Sequence, residues 1–384
     1  MADLASNLAV PIKRAAMPSA AGAVTRVDSW RAFDTPQMLA NWDALARRCS
    51  EPNPFHEQWY LLSALRAHDP AGRVLLFTAW EGERLIGLLP LARSARYYGR
   101  PLPHLATWAH GNAFLGAPLV ERGIERRFWQ ALLDWADSNA RSSLFLHLPL
   151  MPLTGALHDA LQAVLHMRYA AVVFREERAL LSSDMTAQDY FEASLSGRKR
   201  KELRRQLARL AEQGAVRTER CDGAENIAEW IEQFLQLEAS GWKGKSGSAL
   251  ASHAATATLF RCALPQAAAK GQLERLAIYL DDQPVAMLVQ FISAPGAYSY
   301  KTAFDERFSR YSPGVLLQRE NLALLDRPDV AWCDSCASAD HPMIDHIWRE
   351  RRLIGHLSVA IGGPLRRALF RQIARVETRC MPAA

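Results

Sequence analysis

Cysteine is scarce in this chain: Cys49, Cys221, Cys262, Cys333, Cys336 and Cys380 are scattered through 384 residues. Spacing that irregular excludes a disulfide framework and agrees with a reducing compartment, so a cytoplasmic protein is expected. No apolar run approaches the ~20 residues that a membrane span requires. Residues 1–24 include Asp3 and Lys13 and hold no sustained apolar stretch, which argues for a loose tail and against a cleaved signal segment. A Gly-x-Ser-x-Gly elbow is missing, and with it the support for a serine hydrolase; the missing Gly-x-Gly-x-x-Gly removes the support for a dinucleotide enzyme.

What is present describes a globular chain. It is 49% hydrophobic and 22% charged, and its length suggests two domains of roughly 150 residues each. The net charge of +6 is modest, but part of it is concentrated. Seven cations (Arg198, Lys199, Arg200, Lys201, Arg204, Arg205 and Arg209) face only Glu202 between positions 198 and 209, and Arg366, Arg367, Arg371 and Arg375 cluster near the end. Leu195, Leu203, Leu207 and Leu210 give the first cluster an apolar stripe for packing. Three readings of that helix stay open: a solvated face, a contact for phosphates of a cofactor or acceptor, and an RNA contact, the last disfavoured because no aromatics interleave the cations.

Periodicity predicts helices over 36–46 and 57–67, a hairpin over 73–80 and 84–92, a short strand over 113–120, a helix over 125–139 and a strand over 143–148. Basic and apolar helices over 187–213 and 225–240 then precede a second hairpin, 273–280 with 285–293, a strand over 297–304, a helix over 314–326 and a strand over 330–335. The order repeats. RVLLFTAWEGERLIGLLPLA and LERLAIYLDDQPVAMLVQFI share a strand, an acidic turn and a strand, which is the mark of a duplication. The expected division is a tail (1–24), a first domain (25–180), a second domain (181–363) and a basic C-terminal helix and tail (364–384).

The most informative stretch is AYSYKTAFDERFSRYSPGVLLQRENLALL, over 297–325. It reads as an aromatic strand, an Arg-Tyr-Ser-Pro-Gly turn, and a helix whose unpaired N–H groups and dipole would suit an anion. Together with LEASGWKGKSGSAL (237–250) and CDSCASADHPMIDHIWRERR (333–352), this order of motifs resembles the GNAT acyltransferase superfamily, in its double-domain CelD-type and FemAB-like bacterial branch. The resemblance spreads over about 30–360 and is most specific in the second half. It departs at the phosphate loop, where Arg310-Tyr311-Ser312-Pro313-Gly314 has a proline and one glycine in place of the superfamily's glycine-rich form.

The resemblance implies an α+β fold of two tandem GNAT-like domains, each a mixed, mostly antiparallel sheet flanked by helices. It implies acetyl-CoA or another acyl-CoA as co-substrate, no metal, and direct attack by the amine or hydroxyl of a small-molecule, saccharide or peptide acceptor on the thioester, in an activity linked to polysaccharide or cell-envelope metabolism. Tyr300, Thr302, Ala303 and Phe304 would line the thioester rail, and Arg310, Tyr311, Ser312, Pro313, Gly314 and Val315 the phosphate seat. Glu238, Asp305 and Asp334, at the ends of predicted elements, are the candidate bases, with Lys301 beside them. Strand parity puts Lys301 on the face opposite Tyr298 and Tyr300. Trp242, Lys243 and His341 are expected on the substrate side. Cys333, Cys336, His341 and His346 approach the spacing of a zinc knuckle, but the cysteines fall in a predicted buried strand and have no second pair, which speaks against it. The first half, lacking a phosphate loop over 101–116, is expected to bind the acceptor or to be structural. Two alternatives stand beside this reading: a FemAB-like aminoacyl transferase acting on a cell-wall precursor with transfer RNA, a nucleic-acid partner not otherwise expected, and a non-catalytic accessory protein of polysaccharide assembly.

Overall fold

The computed structural model describes residues 17–18, 24–165 and 168–379. In the first half, strands β1 (Met17–Pro18), β2 (Val24–Ser29), β3 (Leu75–Glu81), β4 (Arg84–Ser94), β5 (His104–Thr107), β6 (Leu119–Val120) and β7 (Phe145–Pro152) are interleaved with helices α1 (Pro36–Ala46), α2 (Gln58–His68), α3 (Glu125–Ser138) and α4 (Ala156–Leu165). The first half closes with β8 (Ala170–Leu181), and the second half runs through α5 (Ala187–Ser194), α6 (Gly197–Ala211), β9 (Val216–Cys221), α7 (Ile227–Ser240), α8 (Trp242–Lys245) and α9 (Ala254–Ala269). It ends with β10 (Leu273–Leu280), β11 (Gln283–Ser293), β12 (Gly296–Phe304), α10 (Pro313–Asn321), β13 (Trp332–Asp334), β14 (Glu350–Ala360) and α11 (Pro364–Arg379).

These strands join in a single mixed sheet, β1-β2-β3-β4-β5-β7-β14-β8-β13-β12-β11-β10-β9, with β6 paired to β4. Counted inwards from β2 and from β9, each half supplies five antiparallel-leaning strands ending in one parallel pair, β5 with β7 and β12 with β13. The sixth place in each half is filled by the other half. β14 from the chain's end pairs with β7, β8 pairs with β13, and the two exchanged strands pair with each other from Glu350↔Leu180 to Val359↔Ala170. The repeat legible in the two hairpins is thus a repeat of the sheet, and the exchange welds the two sheets into one. The core is shared as well: Trp59 meets Phe291 at 4.9 Å, and Phe55 packs edge-on to Tyr298 at 5.8 Å.

Several sequence expectations shift in detail. The helix expected over 187–213 is two helices, because Leu195 takes an extended backbone and the Ser196 hydroxyl caps a new start by accepting from the Lys199 N–H at 3.4 Å. The strand over 113–120 shrinks to Leu119–Val120, and the strand over 330–335 to Trp332–Asp334. Within the expected tail, Met17–Pro18 pairs with β2 and Val24 already belongs to that strand, while the other residues of 1–23 and Cys380 lie outside the described residues.

The segment between β5 and β6 crosses the sheet in irregular backbone and presses on β7. The Gly116 N–H donates to the Leu150 carbonyl at 2.9 Å, and a Cβ on Gly116 would sit 2.0 Å from the Pro149 carbonyl oxygen. Backbone cannot yield as a side-chain tip can. Gly116→Ala is therefore expected to lower stability by about 1–3 kcal/mol, read as a shifted urea midpoint with an unchanged slope.

Candidate functional site

A cleft of about 660 Å³ opens where β12 and β13 part. The parallel pairing covers only Gly296↔Trp332, Ala297↔Cys333 and Tyr298↔Asp334, after which β12 continues to Phe304 while the other chain turns away through Ser335 and Cys336. That turn is held by the Asp334 carboxylate, which accepts from the Cys336 N–H at 2.8 Å while Cys336 adopts a left-handed φ of 52°. One wall is Ser299 to Phe304 of β12, and the opposite wall runs from Ser335 to Ser338 and from His341 to Ile344. The floor and rim come from Leu237, Glu238, Trp242 and Lys243, and Phe114 of the first half closes the end.

Glu238 is buried and spends both oxygens: Oε1 accepts from Lys243 Nζ at 2.9 Å and Oε2 from the Leu250 N–H at 2.7 Å. Lys243 Nζ also donates to the Thr302 carbonyl at 3.0 Å, tying α8 to β12. Lys301 differs. Its Nζ lies 5.1 Å from the Phe114 ring centre and 5.7 Å from that of Tyr300, and it makes no hydrogen bond or ion pair among the described residues. Burial, reinforced by the charge of Lys243, lowers its pKa from the ordinary 10.5 to about 8. Parity put Lys301 opposite Tyr300, whereas the two adjoin. A β-bulge is the reason: Val289 pairs with Lys301 and Gln290 with Ser299, so Tyr300 is the extra residue that breaks the alternation.

Of the other expected bases, Asp334 faces the halves' junction instead of the cleft. Arg352 bridges it at 3.2 Å to Glu51 of the first half at 2.5 Å, and stacks over Trp332 at 4.7 Å. Asp305 caps the turn Glu306–Tyr311, accepting from the Arg307 N–H at 2.9 Å and pairing with its guanidinium at 2.6 Å. Burial pushes the Asp305 carboxyl up, but those bonds and that charge outweigh it and hold the group below the usual carboxylate range. It is outside the cleft and already paired, which removes the reason to expect a base there.

Among the expected cofactor contacts, Tyr300, Thr302, Ala303 and Phe304 line the cleft, whereas Arg310, Tyr311, Ser312, Pro313, Gly314 and Val315 do not. Ser312 takes a left-handed φ of 53°, Pro313 has no N–H, and the Val315 and Leu316 N–H groups both donate to the Ser312 carbonyl. Met343 covers the helix start, its sulfur where a Gly314 Cβ would be, at 2.2 Å. The open anion seat read from the sequence is therefore a capped turn under a methionine. The basic helix α6 packs against the adjoining turn Glu306–Tyr311, burying Leu203 and Leu210 and leaving Arg198, Lys199, Lys201, Arg204, Arg205 and Arg209 exposed.

Trp242, Lys243 and His341 all line the cleft, and Trp242 is left exposed. His341 keeps Nδ1 buried without a partner, and burial followed by the charge of Lys243 lowers its pKa. Phe114, Cys336 and Met343 were not expected there. Cys336 was visible in the sequence beside Cys333, and burial raises its thiol well above the ordinary value. Phe114 carries no local signal, since only the crossing held by Gly116 and by the Arg178 guanidinium on the Phe114 carbonyl at 2.5 Å brings it across. Among the described residues no three His, Cys, Asp or Glu side chains converge as a metal site would need.

The second half's parallel pair splays into a largely apolar cleft, and the first half repeats its strand order, with its own parallel pair, in the same strand-exchanged sheet. Residues 197–341 match the family model of the acetyltransferase (GNAT) domain. FemX is similar in structure at a TM-score of 0.56 and 11% identity, over 88% of this chain and 98% of that one. A conserved protein of unknown function from Bacteroides thetaiotaomicron gives 0.52 and 12%, over 84% and 97%. No curated protein matches the sequence. Residues 197–341 are thus similar to a GNAT acetyltransferase domain, and the fold of the whole chain is similar to that of FemX.

Proposed function

We propose that the protein transfers an acyl group from acyl-CoA, with acetyl-CoA as the first candidate, to the amine or hydroxyl of a small-molecule, saccharide or peptide acceptor, and that the second half, 181–363, does the chemistry. The observation that carries this reading is the unpaired Lys301 amine in a cleft that begins where β12 and β13 separate. The bound thioester supplies an activated acyl carbon. Thr302, Ala303 and Phe304 flank its arm along β12, and Lys243, anchored on Glu238, presents a fixed positive charge beside it. Lys301, a large fraction of it neutral near pH 8, takes the proton from the acceptor as the acceptor's lone pair attacks the acyl carbon; the carbon–sulfur bond then breaks, and the departing CoA thiolate recovers a proton from the Lys301 ammonium. Trp242 and His341 stand at the acceptor's end. The first half, 25–180, contributes Phe114 and otherwise serves as support.

The cofactor's phosphates are assigned to the Gly314 turn and the adjacent cations of α6, which requires Met343 to swing aside. Gly314→Val would drive Met343 into the cleft. Calorimetry with acetyl-CoA is expected to show at least about a tenfold loss of affinity in that variant, with affinity kept or raised in Met343→Ala. Unchanged affinity in Gly314→Val would sink the assignment. The exposed cations of α6 support a second reading, aminoacyl transfer from transfer RNA. Filter binding of transfer RNA at several salt concentrations, run beside acetyl-CoA, separates the two.

A further inference from the structure

Helix α11 has a surface that the acyl-transfer reading does not use. Its inner side is anchored: Phe370 stacks on Phe145 at 5.2 Å and meets Tyr169 at 6.0 Å, Ala374 is buried, and the Arg367 guanidinium pairs with Asp137 at 2.6 Å. The outer side is apolar where a solvated helix should be polar. Leu365 is 90% exposed, Leu369 50% and Val376 57%, at positions i, i+4 and i+11, which one stripe of a helix collects. Tyr98 and Phe174 extend the patch, since Tyr98 shares a groove with Val376 and bonds through its hydroxyl to His356, on which the Phe174 ring packs at 4.7 Å. Of the seven large hydrophobic side chains left exposed among the described residues, five therefore belong to this one face.

Charge runs alongside the stripe. Arg371, Arg375 and Arg379 follow one another at i, i+4 and i+8, and Arg375 and Arg379 have no ion pair among the described residues. The helix's one carboxylate, Glu377, is turned inwards to accept from the Tyr97 hydroxyl at 2.7 Å. A large exposed apolar patch marks a docking surface, and the charge decides the partner. A second copy related by a two-fold axis would bring this arginine row towards its own image. A nucleic acid would match the arginines but leave the leucines in water. An anionic bilayer satisfies both, since its acyl boundary takes the leucines, its headgroups the arginines, and its interface the exposed tyrosine.

We propose that α11 is an interfacial helix that seats the protein on an anionic lipid surface. No helix among the described residues is long and apolar enough to cross a membrane, and none is needed for this mode of binding. Co-sedimentation of the full chain with phosphatidylcholine vesicles, with and without phosphatidylglycerol, tests it. Binding is expected only with phosphatidylglycerol present and is expected to fall as salt rises. Leu369→Glu with Val376→Glu should weaken it by at least about tenfold, and Arg375→Glu with Arg379→Glu should also weaken it. All four side chains are exposed or at the helix end, and circular dichroism checks that the variants fold. Failure to bind the anionic vesicles overturns the proposal, as does binding indifferent to both pairs of substitutions. It is equally overturned by a dimer, seen in light scattering without vesicle binding, that the leucine and valine changes dissociate.

Discussion

Arg352→Ala is expected to cost about 3–5 kcal/mol of stability, the largest single effect we anticipate outside catalysis. Arg352 is buried between Asp334, whose side chain is 1% exposed, and Glu51. Losing the guanidinium leaves two carboxylates in low dielectric facing the Tyr298 hydroxyl, which itself donates to the Pro52 carbonyl. The loss is also positional: Asp334 holds the Cys336 turn that opens the cleft, and Glu51 belongs to the other half. Burial raises the Glu51 carboxyl and Arg352 opposes that. Without the arginine, Glu51 ionises at greater cost as pH rises, so the deficit of the variant should be smaller in acid than at neutral pH. Urea unfolding at both pH values measures this; a deficit independent of pH would mean that the charges matter less than the stacking of Arg352 on Trp332. Lysine at 352 should recover only part of the loss, because it cannot span both carboxylates as a planar fork does.

Lys301→Met is expected to lower acyl transfer by about a hundred- to ten-thousand-fold, the range for removing a general base. The pH profile gives the sharper test. Activity of the natural protein should rise as pH passes through about 8, where the amine loses its proton, and the methionine variant should lose that limb. Stability should move the other way. With the folded pKa near 8 and the unfolded value near 10.5, the unfolded chain binds more protons between those values, so wild-type stability rises with pH across that window. Below it the burial cost of the ammonium is fully present. Methionine removes that cost, making the variant more stable at neutral pH by about 1–3 kcal/mol, with the gap closing towards pH 10.5. A variant both inactive and destabilised would point to packing of Lys301 on Phe114 and Tyr300 as its main role.

Local elements were legible where local rules suffice. Helix α1 falls within the limits expected from its periodicity, and the two hairpins follow from alternating apolar runs and acidic turns. The charged central strands were not legible. FREERALL in β8 and ERRLIGH in β14 lack the apolar alternation from which a strand is predicted, yet they lie in the middle of the sheet because Arg178 pairs with Glu176 at 2.5 Å and Arg352 reaches two carboxylates from distant positions. Helix α9, rich in alanine and interrupted by Pro265, lacks a clear apolar face and was missed for that reason.

The sequence by itself determined the duplicated order of strands, the likeness of the second half to acyltransferases, and the identity of eight polar or aromatic cleft residues, Glu238, Trp242, Lys243, Tyr300, Lys301, Thr302, Phe304 and His341. These rest on spacing within short segments, which chain connectivity preserves. Only the tertiary structure decided that β8 and β14 change places, that Phe114 closes the cleft, that Met343 lies over Gly314, and that a bulge sets Lys301 beside Tyr300. Each of those depends on backbone pairing or packing between residues far apart in the chain, where a shift of one residue in register exchanges the two faces of a strand.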